Sequence, residues 1–128
     1  MENAEVHTYK LDNDETFGEV SIADEVVAMI AGLAASEVEG VASMAGNVTR
    51  DLINKLSMKS LSKGVRITVD ENKTVKAALA INIRYGYNVP DTSAQVQEKV
   101  KTAIEAMTGL NVAEVNVKIV NVEMEENE

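Results

Sequence analysis

The fold is decided by the stretch VRITVDENKTVKAALAINIRY, residues 65–85, in which apolar and polar residues alternate on both sides of a short polar loop. Successive side chains of a β-strand point to opposite faces, so this alternation predicts a hairpin with one buried and one exposed face. Residues 70–73 form the predicted hairpin loop. The apolar face of such a hairpin needs a second layer to cover it.

Two helical patterns flank the hairpin and supply that second layer. Residues 23–38 and 95–107 carry apolar side chains at helical spacing, and each segment ends just before a glycine, Gly40 or Gly109. A hydroxyl residue followed three positions later by an acid or an amide predicts where each helix begins, as at Ser21/Asp24 and Thr92/Gln95. Both helices therefore present an apolar stripe to the same sheet.

Shorter alternating segments predict further strands at residues 16–22, 40–44 and 112–122. In the last of these the apolar positions change phase at Val120, which predicts either a bulge or a strand end covered on both faces. We therefore predict an α+β two-layer sandwich, with two helices on one face of a three- to four-stranded, mostly antiparallel sheet. With residues 39–63 left out, the order is split βαβ; if the first strand is left out as well, it is helix–strand–strand–helix–strand.

The charge distribution divides the chain into a domain and two acidic ends. We expect residues 1–15 to form a mobile acidic lead-in, residues 16–122 to form one domain, and residues 123–128 to form an acidic tail. Within the domain, residues 45–63 are predicted to be a basic connector that contains a short amphipathic helix. The pattern is weakest there, because serines and a glycine interrupt the helical spacing.

Composition excludes several classes of protein. The chain has no cysteine, so disulfides and thiolate chemistry are excluded. Its net charge of −9 argues against nucleic acid as the main partner, because phosphate binding needs a cationic surface. The N-terminus is acidic, unlike a secretory signal, and the longest apolar run, residues 26–35, is about half the length of a membrane span. These features predict a cytoplasmic protein without a membrane span.

The sequence shows no recognisable catalytic, metal-binding or cofactor-binding constellation. His7 is the only histidine and lies in the acidic lead-in, where a solvated surface residue is expected. The acidic runs lack the glycine and distal glutamate of a calcium loop, and the glycines are scattered singly rather than grouped in a phosphate loop. We expect no catalytic residue, no metal ligand and no cofactor.

The best candidate for a binding site is a basic segment between the acidic ends. Residues 50–66 contain a single acidic residue, Asp51, and five cations: Arg50, Lys55, Lys59, Lys63 and Arg66. Such a run is either a solvated connector or a surface for an anionic partner, a membrane, or the acidic ends of a neighbouring copy. We treat these five cations as candidate partner-binding residues.

Several short stretches, taken in order, resemble the alkaline shock protein family of envelope-stress proteins in Gram-positive bacteria. The stretches are GEVSIADEVV (18–27), IAGLAASEVEGVASM (30–44), YGYNVP (85–90), QEKV (97–100), MTGL (107–110) and VNV (115–117). The resemblance covers residues 16–122 and is to the compact, housekeeping-type members. It implies a non-enzymatic cytoplasmic protein that supports envelope homeostasis, self-associates, and is held near the membrane by an integral-membrane partner.

Two other functions remain open from the sequence. One is a soluble accessory protein that regulates a metabolic or lipid kinase, which the sequence does not separate from a scaffold. The other is a nucleic-acid-binding module, because small helix-on-sheet domains often serve that role. Against it stand the net charge and the lack of a Gly-x-x-Gly loop or of exposed aromatic residues on a sheet.

Overall fold

The computed structural model describes residues 8–10, 18, 20–45 and 63–124. Its elements in chain order are β1 (Thr8–Lys10), β2 (Ser21–Ala23), α1 (Asp24–Ser36), β3 (Val41–Met44), β4 (Val65–Val69), β5 (Thr74–Arg84), α2 (Val89–Thr108) and β6 (Asn111–Glu123). β1 and β2 pair with each other in a separate ribbon, and the other four strands form the main sheet. The connector predicted at 45–63 lies outside the described residues, except for its two ends.

β4 and β5 form the predicted antiparallel hairpin. Asp70 organises its turn, because Oδ1 of its carboxylate accepts hydrogen bonds from the backbone N–H of Asn72 at 2.9 Å and of Thr74 at 3.0 Å. Lys73 completes the turn with a left-handed φ of 63°. An aspartate at the start of a turn can bond the backbone in this way, which is why polar loops of this type connect paired strands.

β5 is the central strand of the main sheet. β6 runs parallel to β5 along one edge, while β4 and β3 pair antiparallel with the first and second halves of its other edge. The two short strands meet at Ala80, whose carbonyl accepts from the N–H of Ala45 and whose N–H donates to the carbonyl of Gly64, both at 2.9 Å. β3 and β4 therefore share one position in the sheet, end to end.

Both helices cover the same face of this sheet. Alternate residues of β5 are buried, and they pack into one core with Val27, Ala31, Ala34 and Ala35 of α1 and with Val96, Val100 and Ile104 of α2. Full burial of a valine or isoleucine side chain contributes about 1.5–3 kcal/mol, so this layer supplies most of the driving force for folding. The predicted α+β fold, with two helices on one face of a mostly antiparallel sheet, is confirmed.

The order of the elements favours one of the two predicted topologies. The split βαβ order places the first predicted strand in the sheet, but β2 pairs with β1 instead. The helices and main-sheet strands run helix–strand–strand–strand–helix–strand along the chain, which agrees with the second predicted order when β3 and β4, which share one position, are counted as one strand. β1 was not predicted, because a strand of three residues is too short to show an alternating pattern.

The helix starts differ from the predicted capping boxes. Ser21 lies in β2, and the residue that precedes α1, Ala23, makes no side-chain cap. α2 begins earlier than predicted: Asn88 is its N-cap, and its Oδ1 accepts a hydrogen bond of 2.8 Å from the N–H of Asp91. Pro90 fits in the first turn because no intrahelical N–H is needed there. Thr92 is 2% exposed and lies inside the helix.

Gly40 does not end α1, because α1 already ends at Ser36. Gly40 instead lies in close contact with Tyr87 and Thr92. Its φ is +103°, and a Cβ at this position would lie 2.8 Å from Cδ2 of Tyr87 and 3.2 Å from Oγ1 of Thr92. The hydroxyl of Tyr87 donates to Oε2 of Glu39 at 3.3 Å. The turn before α2 is thus packed against the turn before β3, and only glycine fits between them.

β6 contains two irregularities in its pairing with β5. The register shifts at Ala113 and again at Val120, and the second shift is the bulge predicted from the change of apolar phase. Val120 at this bulge and Val122 and Met124 beyond it are 53%, 45% and 67% exposed, respectively. The alternative, a strand end covered on both faces, is therefore wrong.

Candidate partner-binding surface

The face of the main sheet that lies opposite the helices carries polar, small and charged side chains. Residues that pair across strands share a face, so the register defines this surface, called here the open face. It consists of Ser43 of β3, Arg66 and Thr68 of β4, Lys76, Ala78, Ala80, Asn82 and Arg84 of β5, and Glu114, Asn116, Lys118, Asn121 and Glu123 of β6. Within the described ranges, no helix or strand packs on it.

A shallow depression of about 370 Å³ lies in the middle of the open face. Ala78 and Ala80 form its floor, and Arg66 and Lys118 stand on opposite sides of it, on β4 and β6. Small side chains on the central strand leave the space between two longer, charged ones empty. The depression can therefore admit a side chain or an anionic group between two cations.

Positive charge predominates on the open face, although the whole chain carries a net charge of −9. Arg66, Lys76, Arg84 and Lys118 all belong to this face, and among the described residues none of their side chains forms an ion pair. One end of the face is neutralised by Glu123, whose Oε2 accepts from Oγ of Ser43 at 3.0 Å. The same Oγ accepts from Nδ2 of Asn82 at 2.9 Å.

Two of the five predicted partner-binding residues fall in the described part of the chain. Arg66 lies on the open face, and Lys63 is exposed in the turn that leads into β4, next to the rim of the depression at Gly64. Arg50, Lys55 and Lys59 lie outside the described residues. Lys118 was missed, because only the parallel register of β6 brings it to the depression, across β5 from Arg66.

Side chains of α2 bind the outer edge of β6 at its start. Oε2 of Glu105 accepts from the N–H of Val112 at 3.0 Å, and Nζ of Lys101 donates to the carbonyl of Val112 at 3.3 Å. Nε2 of Gln97 donates to the carbonyl of Val115 at 3.0 Å. The hydrogen bond from Val112, together with the Lys101 ammonium at 2.9 Å, lowers the pKa of the Glu105 carboxyl. Glu105 has a structural role here.

The described residues contain no group of three or more histidine, aspartate or glutamate side chains that could hold a metal ion. Neither of the two described helices combines the length and the hydropathy that a membrane span requires.

Comparisons with protein-family models and with individual proteins agree with each other. The model of the alkaline shock protein 23 family, described as having a cell envelope-related function, matches residues 12–124. The Bacillus subtilis protein YqhY is 35% identical over 118 residues, which are 91% of this chain and 86% of YqhY. YloU of the same organism is 31% identical over 105 residues, or 80% of this chain and 87% of YloU.

A longer relative carries a functional name. A Streptococcus pyogenes protein called a stress response regulator gls24 homolog is 33% identical over 110 residues, which cover 85% of this chain and 61% of that protein. Among solved structures, a variant of the MamM CTD superposes with a TM-score of 0.46 and 17% identity, over 80% of this chain and 95% of that one.

The family match spans both helices and the whole main sheet, including the open face. It agrees with the resemblance found in the short stretches of the sequence between residues 16 and 122. The chain therefore belongs to the alkaline shock protein family, whose function is related to the cell envelope.

Proposed function

We propose that this chain is a non-enzymatic scaffold of the cytoplasm that supports cell-envelope homeostasis by self-associating and by binding an integral-membrane partner that holds it near the membrane. The observation that carries the proposal is the open face, which exposes grouped cations on a chain with a net charge of −9. The cell envelope-related function of the family supports the cellular setting. The stress-response name of a relative agrees with it.

Self-association follows from the charges that the chain itself supplies. Residues 1–19 hold six acidic side chains against Lys10, and residues 123–128 hold four more. These ends are complementary to the open face and to the basic segment 50–66 of a neighbouring copy. Exposed charges of this kind attract one another over roughly a Debye length, about 8 Å at physiological ionic strength. The contact between copies is thus expected to be sensitive to salt.

The open face suits a protein partner better than a nucleic acid. Proteins that bind single-stranded RNA on a sheet stack its bases on aromatic side chains. Among the described strand residues, those of the open face include no aromatic side chain. A gel shift with mixed RNA at moderate salt should therefore show no complex, and a stable complex would contradict this part of the proposal.

Sedimentation velocity at low and high salt tests the self-association. Wild type should sediment as an oligomer at low salt and dissociate at 1 M salt, where the Debye length falls to about 3 Å. Reversing the two cations beside the depression, Arg66→Glu with Lys118→Glu, should give a monomer at low salt. The matched control is Lys99→Glu on α2, because within the described ranges Lys99 makes a single, exposed ion pair of 3.7 Å with Glu37. A wild type that is monomeric at both salt concentrations would contradict self-association by charge.

Affinity capture from a membrane extract tests the second part of the proposal. Wild type and the Lys99→Glu control should retain an integral-membrane protein, and the double variant at Arg66 and Lys118 should lose it. If the double variant instead loses a soluble kinase, the accessory role replaces the scaffold. Equal capture by all three proteins would show that the partner binds elsewhere.

A further inference from the structure

β6 forms one edge of the main sheet, and its outer backbone groups can be assigned from the register. Tyr85, the residue after β5, donates its N–H to the carbonyl of Glu123 at 2.9 Å. Odd-numbered positions in this part of the chain therefore face β6. In a parallel pair, a residue that faces its neighbour bonds to the residues on either side of its Cα partner. The β6 residues that are the Cα partners of these odd-numbered β5 positions therefore point their own N–H and C=O groups away from β5.

The outward-pointing residues of β6 are Val112, Val115, Val117, Ile119 and Val122. The first two are bound by side chains of α2, as described above, and the N–H of Val122 donates to Oδ1 of Asn121 at 2.9 Å. Within the described part of the chain, Val117 and Ile119 receive no such partner. Residues 117–119 are called the bare edge.

An exposed strand edge is a template for another strand, and proteins usually block it. Here the blocking is selective. Gln97, Lys101 and Glu105 occupy the first part of the β6 edge, and the bulge at Val120 interrupts the ladder before it resumes at Asn121. Between these two features the ladder stays regular, so a partner strand could exchange both backbone hydrogen bonds at each of two residues.

Lys118 decides which strand fits the bare edge. It lies between the two outward-pointing residues, and its exposed side chain is on the open face, opposite Ala80. A second copy that paired antiparallel in this register would place its own Lys118 directly opposite, and like charges in that position are unfavourable. Other registers would require groups at Val115 or Val122 that are already bound.

We propose that the bare edge of β6 binds an extended segment of another protein in which one acidic residue stands between two apolar residues. The acidic side chain lies opposite Lys118, and its apolar neighbours pack beside the partly buried Val117 and Ile119 on the helix side of the sheet. This inference is independent of the self-association proposed above, because it rests on backbone groups at the edge and not on the charges of the open face alone.

Fluorescence anisotropy with two labelled peptides, Ser-Val-Glu-Val-Ser and Ser-Val-Lys-Val-Ser, tests the proposal with the full chain. The glutamate peptide should bind roughly fivefold more tightly than the lysine peptide, and Lys118→Glu should reverse that preference. Ile119→Pro removes an outward N–H and should weaken binding about tenfold. The matched control is Ile67→Pro on β4, where the N–H also points away from β5 and the side chain is also partly buried.

Amide hydrogen exchange in wild type tests the proposal without relying on a proline variant that fails to fold. The glutamate peptide should slow exchange at Val117 and Ile119, and unchanged exchange would overturn the proposal. Absence of binding to either peptide, or equal binding by Ile119→Pro and wild type, would also overturn it. If Ile119→Pro converts a wild-type dimer to a monomer, the occupant is a second copy and the proposal is wrong. Ile119→Pro keeps every charge of the open face, so salt-dependent self-association would persist in that variant.

Discussion

The two faces of β5 differ in what they contribute to the protein. On the helix side, Val75, Ala77, Leu79, Ile81 and Ile83 are at most 2% exposed. On the open face, the alternate residues include Lys76, Ala78 and Arg84, which remain accessible to solvent to different degrees. One strand therefore supplies hydrophobic burial on one side and a polar, accessible surface on the other. Substitutions on the two faces should accordingly have separable effects on folding and on association.

The largest effect is expected in the middle of the buried face. Leu79→Ala should lower the free energy of unfolding by about 2–5 kcal/mol, because it removes buried methyl groups and leaves a cavity. Urea denaturation followed by circular dichroism measures this loss. Lys76→Ala, on the open face of the same strand, is the matched control and should be nearly neutral. Similar losses in the two variants would contradict the division between the faces.

The next effect is expected where the ring of Tyr87 packs against Gly40. Gly40→Ala should destabilise the fold by about 1–3 kcal/mol, because it forces a left-handed φ and a contact with the tyrosine ring. Gly86→Ala is the control, since Gly86 has a φ of +99° but no neighbouring atom within 4 Å of a Cβ. The difference between the two thermal midpoints reports the ring contact. Equal midpoints would mean that Tyr87 moves aside at no cost.

A smaller, pH-dependent effect is expected at the contact between α2 and β6. The N–H of Val112 and the ammonium of Lys101 lower the pKa of Glu105 below its ordinary value of 4.5 in the folded state. Its charge therefore stabilises the fold above pH 4.5, and this stabilisation is lost as the pH falls through the lowered value. Glu105→Gln should have a lower thermal midpoint than wild type at pH 7, and the difference between the two midpoints should shrink as the pH is lowered below 4.5. A constant difference across this range would assign the effect to packing.

The smallest effect on stability is expected on the open face. Arg66→Ala and Lys118→Ala should each change the free energy of unfolding by no more than about 0.5 kcal/mol, because both side chains are exposed and unpaired among the described residues. Both should nevertheless weaken self-association in sedimentation experiments at low salt. A marked loss of stability in either variant would show that the open face also contributes to folding.

Much of the fold could be predicted from the sequence, because alternation and helical spacing directly reflect burial. The hairpin, the last strand with its bulge and both helices follow from these patterns. The predicted capping boxes are wrong because several residues near each helix start have side chains that could accept a capping hydrogen bond. Asn88 and Thr92 could both cap α2, and packing decides between them: Thr92 is buried against the Gly40 turn, while Asn88 is free to accept from Asp91.

The candidate site was predicted only in part, because proximity across a sheet depends on register. Alternation places Arg66 and Lys118 on outward-facing positions of their strands, but it does not show that β6 runs beside β5 in parallel. The pairings of Ala78 with Arg66 and of Ala80 with Lys118 bring the two cations to one depression. The bare edge also depends on contacts that no local pattern reveals, since Gln97 and Val115 are distant in sequence.

The position where β3 and β4 meet at Ala80 bears on where the chain can accept insertions. Ala45 and Gly64 both bond to this one residue, so the chain leaves and rejoins the sheet at a single point. Insertions between Ala45 and Gly64 that keep both of these bonds would leave the pairing of β3 and β4 unchanged, since doubling the chain length between two fixed points adds only about 0.6 kcal/mol of closure entropy. The position is a natural place for inserted sequence, where new recognition elements could be added or exchanged while the domain keeps its architecture.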